Sequence, residues 1–62
     1  MNENKKLMVV LGAGESGVGT ALLAQKQGYA VFVSDYGKIA DKYKTVLDQH
    51  QIEWEEGHHT LE

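Results

Sequence analysis

A glycine-rich segment that interrupts an apolar run constrains the fold of this chain more than any other feature. The run Leu7–Leu11 ends at Gly12, and Gly14 and Gly17 complete the pattern G-x-G-x-x-G. This pattern predicts a strand, a tight turn and a helix: Gly12 permits the turn, Gly14 admits a ligand close to the backbone, and Gly17 lets the helix pack on the strand. The free N–H groups and positive dipole end of such a helix favour binding of a phosphate or diphosphate.

The rest of the chain alternates between helical and extended patterns. Four elements are predicted after the first strand: a helix from Ser16 to about Gln27 that Gly28 ends, a strand at Ala30–Ser34, a helix from Ile39 or Ala40 to His50, and a strand at Ile52–Trp54. The second helix has one apolar stripe, at Ile39, Tyr43, Val46 and Leu47. The order β-α-β-α-β is the first half of a doubly wound α/β fold, with a parallel sheet of order 3-2-1.

The predicted topology leaves one face of the sheet uncovered. Two right-handed crossovers in the same direction place both helices on one face. Yet Leu7–Leu11 and Ala30–Val33 are apolar at every position, which is typical of strands buried on both faces. We therefore expect residues 1–62 to form an incomplete domain whose other layer comes from further chain. We also expect self-association through the bare face or the edge of the first strand.

Composition narrows the function classes. The net charge of −3 argues against broad attraction to nucleic acid or to an anionic membrane. The chain has no cysteine, which excludes disulfides and thiolate metal sites, so a reducing cytoplasm is expected. The apolar run Leu7–Leu11 is too short for a signal-peptide core or a membrane span.

Four side chains near the glycine loop are candidates for ligand binding. Asp35 ends the second strand, where an acid binds a ribose hydroxyl in dinucleotide-binding folds; it could instead accept from the N–H of a base, or cap a turn or helix. Ser16 could donate to a phosphate or cap the first helix. Glu15 would repel a diphosphate, so we expect it to point away. Tyr36 could stack on a ligand or be exposed.

The remaining polar residues predict no chemistry. His58 and His59 point in opposite directions on an extended chain, so solvated histidines are expected rather than a metal site. Trp54 and Phe32 are expected in the core. A solvated face of the second helix is expected at Asp41, Lys42, Lys44 and Asp48. The sequence has no nucleophile–base pair, no carboxylate pair and no G-x-x-x-x-G-K-[ST] loop, so no catalytic residue is expected.

Three segments together resemble the amino-terminal part of the Mur ligases: Val9-Val10-Leu11-Gly12-Ala13-Gly14-Glu15-Ser16-Gly17, Val33-Ser34-Asp35 and Ile52-Glu53-Trp54-Glu55-Glu56-Gly57-His58. The similarity runs from about Lys6 to Thr60. It implies a Rossmann-like domain that holds the UDP part of the substrate, with ATP- and Mg²⁺-binding and C-terminal domains absent from this chain. The D-glutamate-adding ligases are the most similar members. This implies an ATP-dependent cytoplasmic enzyme of peptidoglycan synthesis that joins D-glutamate to UDP-N-acetylmuramoyl-L-alanine, of which this chain alone is inactive.

The resemblance also assigns binding residues. It places the diphosphate on the backbone N–H groups and the serine hydroxyl of the loop, at Gly14, Glu15, Ser16 and Gly17. Asp35 would accept from the uracil N–H, and Tyr36 would also contact uracil. Two residues depart from the family pattern: Tyr36 replaces a small hydroxyl residue, and Glu15 replaces a residue that is often apolar. Glu15 is therefore expected to contribute only its backbone.

Two other classes fit the same residues. The chain could be the NAD(P)- or FAD-binding half-domain of an oxidoreductase, in which Asp35 would favour NAD by repelling the 2′-phosphate of NADP. It could also be a small interaction module that keeps only the α/β shape. A G-x-x-x-x-G-K-[ST] loop further along the reading frame would favour the ligase.

Overall fold

A computed structural model describes residues 5–58 of the chain. The elements are β1 (Leu7–Leu11), α1 (Glu15–Lys26), β2 (Ala30–Asp35), α2 (Asp41–Gln49) and β3 (Glu53–Glu56). This order confirms the predicted β-α-β-α-β pattern. The last strand is longer than predicted, because Glu55 and Glu56 continue the ladder beside β2 instead of beginning a tail. Neither helix within residues 5–58 has the length and apolar character needed to cross a bilayer.

The sheet is parallel, with β2 between β1 and β3. Val10 pairs with Val33, and Val33 pairs with Trp54, so these three side chains share one face. The strand order is the predicted 3-2-1, and it brings the carboxyl ends of all three strands to one edge. The loops that follow β1 and β2 therefore meet there, which positions the candidate site.

Both helices cover the face that carries Val10 and Val33. The two valines lie in one buried cluster with Ala21 of α1 and Leu47 of α2. The small residues of α1, which include Ala21 and Ala24, let the helix approach the sheet closely. The stripe predicted for the second helix is confirmed at three of its four positions, since Ile39 precedes α2. Ile39 and Leu47 are buried, and Tyr43 and Val46 are half-buried and packed against the cluster.

The opposite face, here called the open face, consists of Leu7, Val9, Leu11, Ala30, Phe32, Ser34, Glu53 and Glu55. No helix of residues 5–58 covers it, and Leu7 and Leu11 are 62% and 69% exposed. The uncovered face expected from the predicted topology is therefore confirmed for the described residues. The expected core position of Phe32 is wrong, since it pairs with Val9 on the open face and lies outside the buried cluster.

The helix ends differ slightly from the predicted ones. α1 begins at Glu15 rather than Ser16, because Gly14 occupies the N-cap position in an extended conformation. Gly28 has φ +98° and ends the helix, as predicted, in the left-handed conformation that glycine adopts without strain. α2 is shorter at both ends than predicted, since it begins at Asp41 and ends at Gln49.

Candidate functional site

The glycine loop joins β1 to α1 at the carboxyl edge of the sheet. Gly12 has φ +99°, and its N–H donates a 2.7 Å hydrogen bond to the carbonyl oxygen of Ser34. The loop is thereby fastened to the end of β2. A Cβ atom on Gly17 would lie 1.9 Å from the carbonyl oxygen of Gly12. The predicted roles of Gly12 in the turn and of Gly17 in close helix packing are therefore confirmed.

The start of α1 is open. Gly14 is the N-cap residue, and a Cβ there would meet nothing within 4 Å. In the part of the chain that the structure describes, no side chain caps this helix, so the prediction that Ser16 caps it is wrong. The N–H groups of the first turn lack partners within the helix itself. With the helix dipole they form a partial positive charge, which suits an anion.

Asp35 connects the glycine loop to the turn that follows β2. Its Oδ2 accepts a 2.7 Å hydrogen bond from the N–H of Ala13, and its Oδ1 accepts a 2.8 Å bond from the N–H of Gly37. The bond to Gly37 is the local turn bond that aspartate commonly makes, so the turn-capping alternative is confirmed. The bond to Ala13 was not anticipated, because it depends on the packing of β1 beside β2.

The predicted binding residues are brought to the same edge. The Ala13–Asp35 bond places the acid beside the loop that contains Gly14 and Gly17. Glu15 and Ser16 are both exposed on the first turn of α1, and Tyr36 is 70% exposed beside Asp35. Ligand contacts of these residues remain predictions.

The end of β3 supports the turn after β2. Glu56 accepts hydrogen bonds from the N–H of Ile39, at 2.9 Å, and from Nζ of Lys44, at 3.0 Å. The Ile39 bond, followed by the Lys44 bond, lowers the pKa of the Glu56 carboxyl below its ordinary value. Gly57 donates to the carbonyl oxygens of Asp35 and Gly37, both at 2.9 Å. Lys44 is thus half-buried in an ion pair, and its assignment to a solvated face is wrong.

A polar cluster on the open face was missed in the sequence. Ser34 is only 1% exposed, and its hydroxyl donates a 2.6 Å hydrogen bond to Oε2 of Glu55. Nε2 of His58 lies 3.3 Å from the other Glu55 oxygen, so this histidine is exposed but has a partner. A serine inside an otherwise apolar strand was the available signal. His59 lies outside the described residues. Residues 5–58 contain no group of three or more potential metal ligands.

A cavity of about 370 Å³ lies at the opposite end of the sheet. Its lining includes Lys5, Leu7, Tyr29 and Gln51, and none of the predicted binding residues. Ligands of open α/β sheets bind outside the carboxyl ends of the strands. The glycine-loop edge is therefore the candidate site.

Parallel strands, a glycine turn at the first crossover and an acid ending the second strand define a Rossmann-like α/β domain. Comparison of the sequence with family profiles then identifies the family. The family profile described as the MurD N-terminal domain matches residues 4–62, and the chain belongs to this family.

Curated relatives agree with the family match. The chain is 65% identical over 60 residues to a protein of Porphyromonas gingivalis and 61% identical over 57 residues to one of Bacteroides thetaiotaomicron. A Cytophaga hutchinsonii protein is 47% identical over 55 residues. All three are named UDP-N-acetylmuramoylalanine--D-glutamate ligase. The alignments cover 89–97% of this chain but only 12–13% of those proteins. No solved structure matches significantly.

Proposed function

We propose that this chain binds the UDP part of UDP-N-acetylmuramoyl-L-alanine in a D-glutamate-adding ligase. The observation that carries the proposal is the uncapped start of α1 beside a strand-end acid, in a chain of the MurD N-terminal domain family. The diphosphate and the base would bind at adjacent points of one edge of the sheet.

The glycine loop supports the diphosphate assignment. The backbone N–H groups of Gly14, Glu15, Ser16 and Gly17 would donate to the diphosphate, and the exposed Ser16 hydroxyl would add one bond. The space beside the Gly14 Cα lets phosphate oxygens approach the backbone. Helix starts of this kind bind anions through N–H groups and the dipole together.

The uracil assignment depends on the turn after β2. A carboxylate oxygen of Asp35 would accept from the uracil N–H, in addition to its two backbone bonds. Tyr36, 70% exposed and next in sequence, would stack on or border the base. A tyrosine ring offers stacking area where a small hydroxyl residue would offer one hydrogen bond.

The whole protein would supply the chemistry. Its central domain would bind ATP and Mg²⁺, and its C-terminal domain would help to bind D-glutamate. The substrate carboxylate would be activated as an acyl phosphate, and the D-glutamate amine would displace phosphate to form the amide. The proposal places this enzyme in cytoplasmic peptidoglycan synthesis, with residues 1–62 inactive alone.

An NMR titration of the ¹⁵N-labelled chain tests the binding role. UDP and UDP-N-acetylmuramoyl-L-alanine should shift the amide signals of Gly14, Ser16, Gly17 and Asp35, and NAD should shift them less. Shifts with NAD alone would favour the oxidoreductase alternative. Absence of shifts with all three ligands would favour the interaction-module alternative and contradict the proposal.

Two glycine variants form a matched pair for the same titration. Gly14→Ala adds a methyl group at the ligand approach, where φ of −82° suits alanine and nothing lies within 4 Å. UDP affinity should fall about tenfold, since one lost contact of this kind costs roughly 1.4 kcal/mol. Gly19→Ala adds the same methyl group further along α1, again in open space, and should leave UDP affinity unchanged.

A further inference from the structure

We infer that Asp35 is a positioning residue for the diphosphate loop as well as a uracil contact, so that it couples the two parts of the site. The inference rests on the proposed function, because it concerns how that site is held together. It extends the proposal, in which Asp35 acts on the base alone.

The two oxygens of Asp35 bind two different segments. Oδ2 accepts from the N–H of Ala13, which directly precedes Gly14. Oδ1 accepts from the N–H of Gly37, which directly follows Tyr36. Each bonded amide is therefore adjacent to a residue of one ligand subsite. Charge-assisted hydrogen bonds to a carboxylate are roughly twice as strong as neutral ones, so both segments are fixed relative to β2.

Other bonds reinforce this arrangement from β2 and β3. The Gly12 amide is held by the carbonyl oxygen of Ser34, next to Asp35 in sequence. The Gly57 N–H donates to the carbonyl oxygens of Asp35 and Gly37. Asp35 thus lies where backbone bonds from the residues that follow β1 and β3 converge, and its side chain links the glycine loop to the turn.

The negative charge of Asp35 and its positioning of the loop should have opposite effects on the affinity for an anion. A carboxylate close to a diphosphate weakens binding by repulsion. Removing only its charge should therefore tighten the binding of an anion if Asp35 contributes nothing else. If Asp35 positions the loop, the same change should weaken binding. The sign of the effect distinguishes the two roles.

The test uses inorganic pyrophosphate, which has no base, and the variant Asp35→Asn. The asparagine oxygen can accept from one of the two amides, whereas its NH₂ group can accept from neither. We expect pyrophosphate affinity to fall about fivefold, the effect of losing one such hydrogen bond. The control Asp41→Asn removes an equal charge from the exposed start of α2 and should not lower the affinity.

A measurement on the unaltered chain keeps the test independent of any variant. Pyrophosphate alone should shift the amide signal of Gly37, and uridine alone should shift that of Ala13. Each ligand should move the Asp35 carboxylate, which accepts hydrogen bonds from both amides. In Asp35→Asn, hydrogen exchange at the Ala13 amide should also accelerate several-fold without ligand, and by more than in Asp41→Asn.

The outcomes separate the inference from the proposed function. Pyrophosphate shifts at Gly14 and Gly17 without any at Gly37, or with equal or tighter binding in Asp35→Asn, would overturn the inference and leave the function standing. Absence of shifts at Gly14 and Gly17 with both pyrophosphate and UDP would overturn the function and the inference together.

Discussion

The Ser34 hydroxyl donates a 2.6 Å hydrogen bond to Oε2 of Glu55, across the ladder that pairs β2 with β3. Both side chains lie on the open face, where Ser34 is 1% exposed and the Glu55 side chain 11% exposed. A carboxylate removed from water to this extent needs donors within the protein. Ser34 provides one, and Nε2 of His58 lies 3.3 Å from Oε1 of Glu55. The Ser34 hydroxyl also lies 3.3 Å from the carbonyl oxygen of His58, so this segment is held against β2.

Ser34→Ala should therefore destabilise the chain. The variant leaves the shielded Glu55 carboxylate with one donor fewer, and we expect a loss of about 1–2 kcal/mol in the free energy of unfolding. Urea denaturation followed by circular dichroism measures it. Thr45→Ala removes an exposed hydroxyl that bonds only to the carbonyl oxygen of Asp41 one turn earlier, and should cost nothing. Equal stability of the two variants would contradict the assignment.

Gly17 should tolerate no side chain. The Cβ of Gly17→Ala would lie 1.9 Å from a backbone carbonyl oxygen, so β1 and α1 must separate. We expect a net loss of about 2 kcal/mol, since overpacking outweighs the helix propensity that alanine gains. Gly19→Ala gains the same propensity in open space and should stabilise the chain by about 0.5–1 kcal/mol. The same urea experiment compares the two, and a Gly17→Ala variant as stable as Gly19→Ala would refute the close contact.

Stability should depend on the ionisation of Glu56. The Ile39 N–H and then Lys44 lower the pKa of this carboxyl in the folded state below its ordinary value of 4.5. The ionised form therefore stabilises the fold above pH 4.5, and this contribution is lost as the pH falls through the lowered value. Urea midpoints measured from pH 7 to pH 3 should fall less steeply for Glu56→Gln than for the unaltered chain. Glu53→Gln, an exposed change on the same strand, serves as the charge-matched control. Parallel curves for the unaltered chain and Glu56→Gln would disprove the coupling.

Local patterns were sufficient to predict the elements and their order. The apolar run before Gly12 and the stripe from Tyr43 to Leu47 are properties of neighbouring residues, and both predictions are confirmed. The extension of β3 to Glu56 was missed because it depends on pairing with Asp35 in another strand. A charged residue in a short strand gives no local signal of that pairing.

The site was predicted less completely than the fold. The glycine spacing identified the loop, because the turn at Gly12 and the close helix packing at Gly17 both require a residue without a side chain. The amide of Ala13 and the carboxylate of Asp35 come together only through the register of β1 beside β2, which sequence spacing does not specify. The Ser34–Glu55 pair was missed for the same reason.

The open face predicts concentration-dependent self-association of the 62-residue chain. Leu7 and Leu11 are exposed on an edge strand beside Val9, and such apolar surface favours association. Sedimentation velocity over a range of concentrations should show it, and the double variant Leu7→Lys with Leu11→Lys should abolish it. Leu23→Lys changes an exposed leucine of α1, on the helical side of the sheet, and should have no effect. A chain that stays monomeric at every concentration would contradict this prediction.

Glu15 should affect stability and ligand binding in opposite directions. As the first residue of α1 it interacts favourably with the helix dipole, so Glu15→Gln should cost about 0.3–1 kcal/mol of folding free energy. The same carboxylate repels a diphosphate at the proposed site, so the variant should bind UDP several-fold more tightly. Asp41→Asn, in the first turn of α2, should lose similar stability without gaining affinity. Urea denaturation and NMR titration with UDP at low ionic strength measure the two effects. Unchanged or weaker UDP binding by Glu15→Gln would place the anion away from the start of α1.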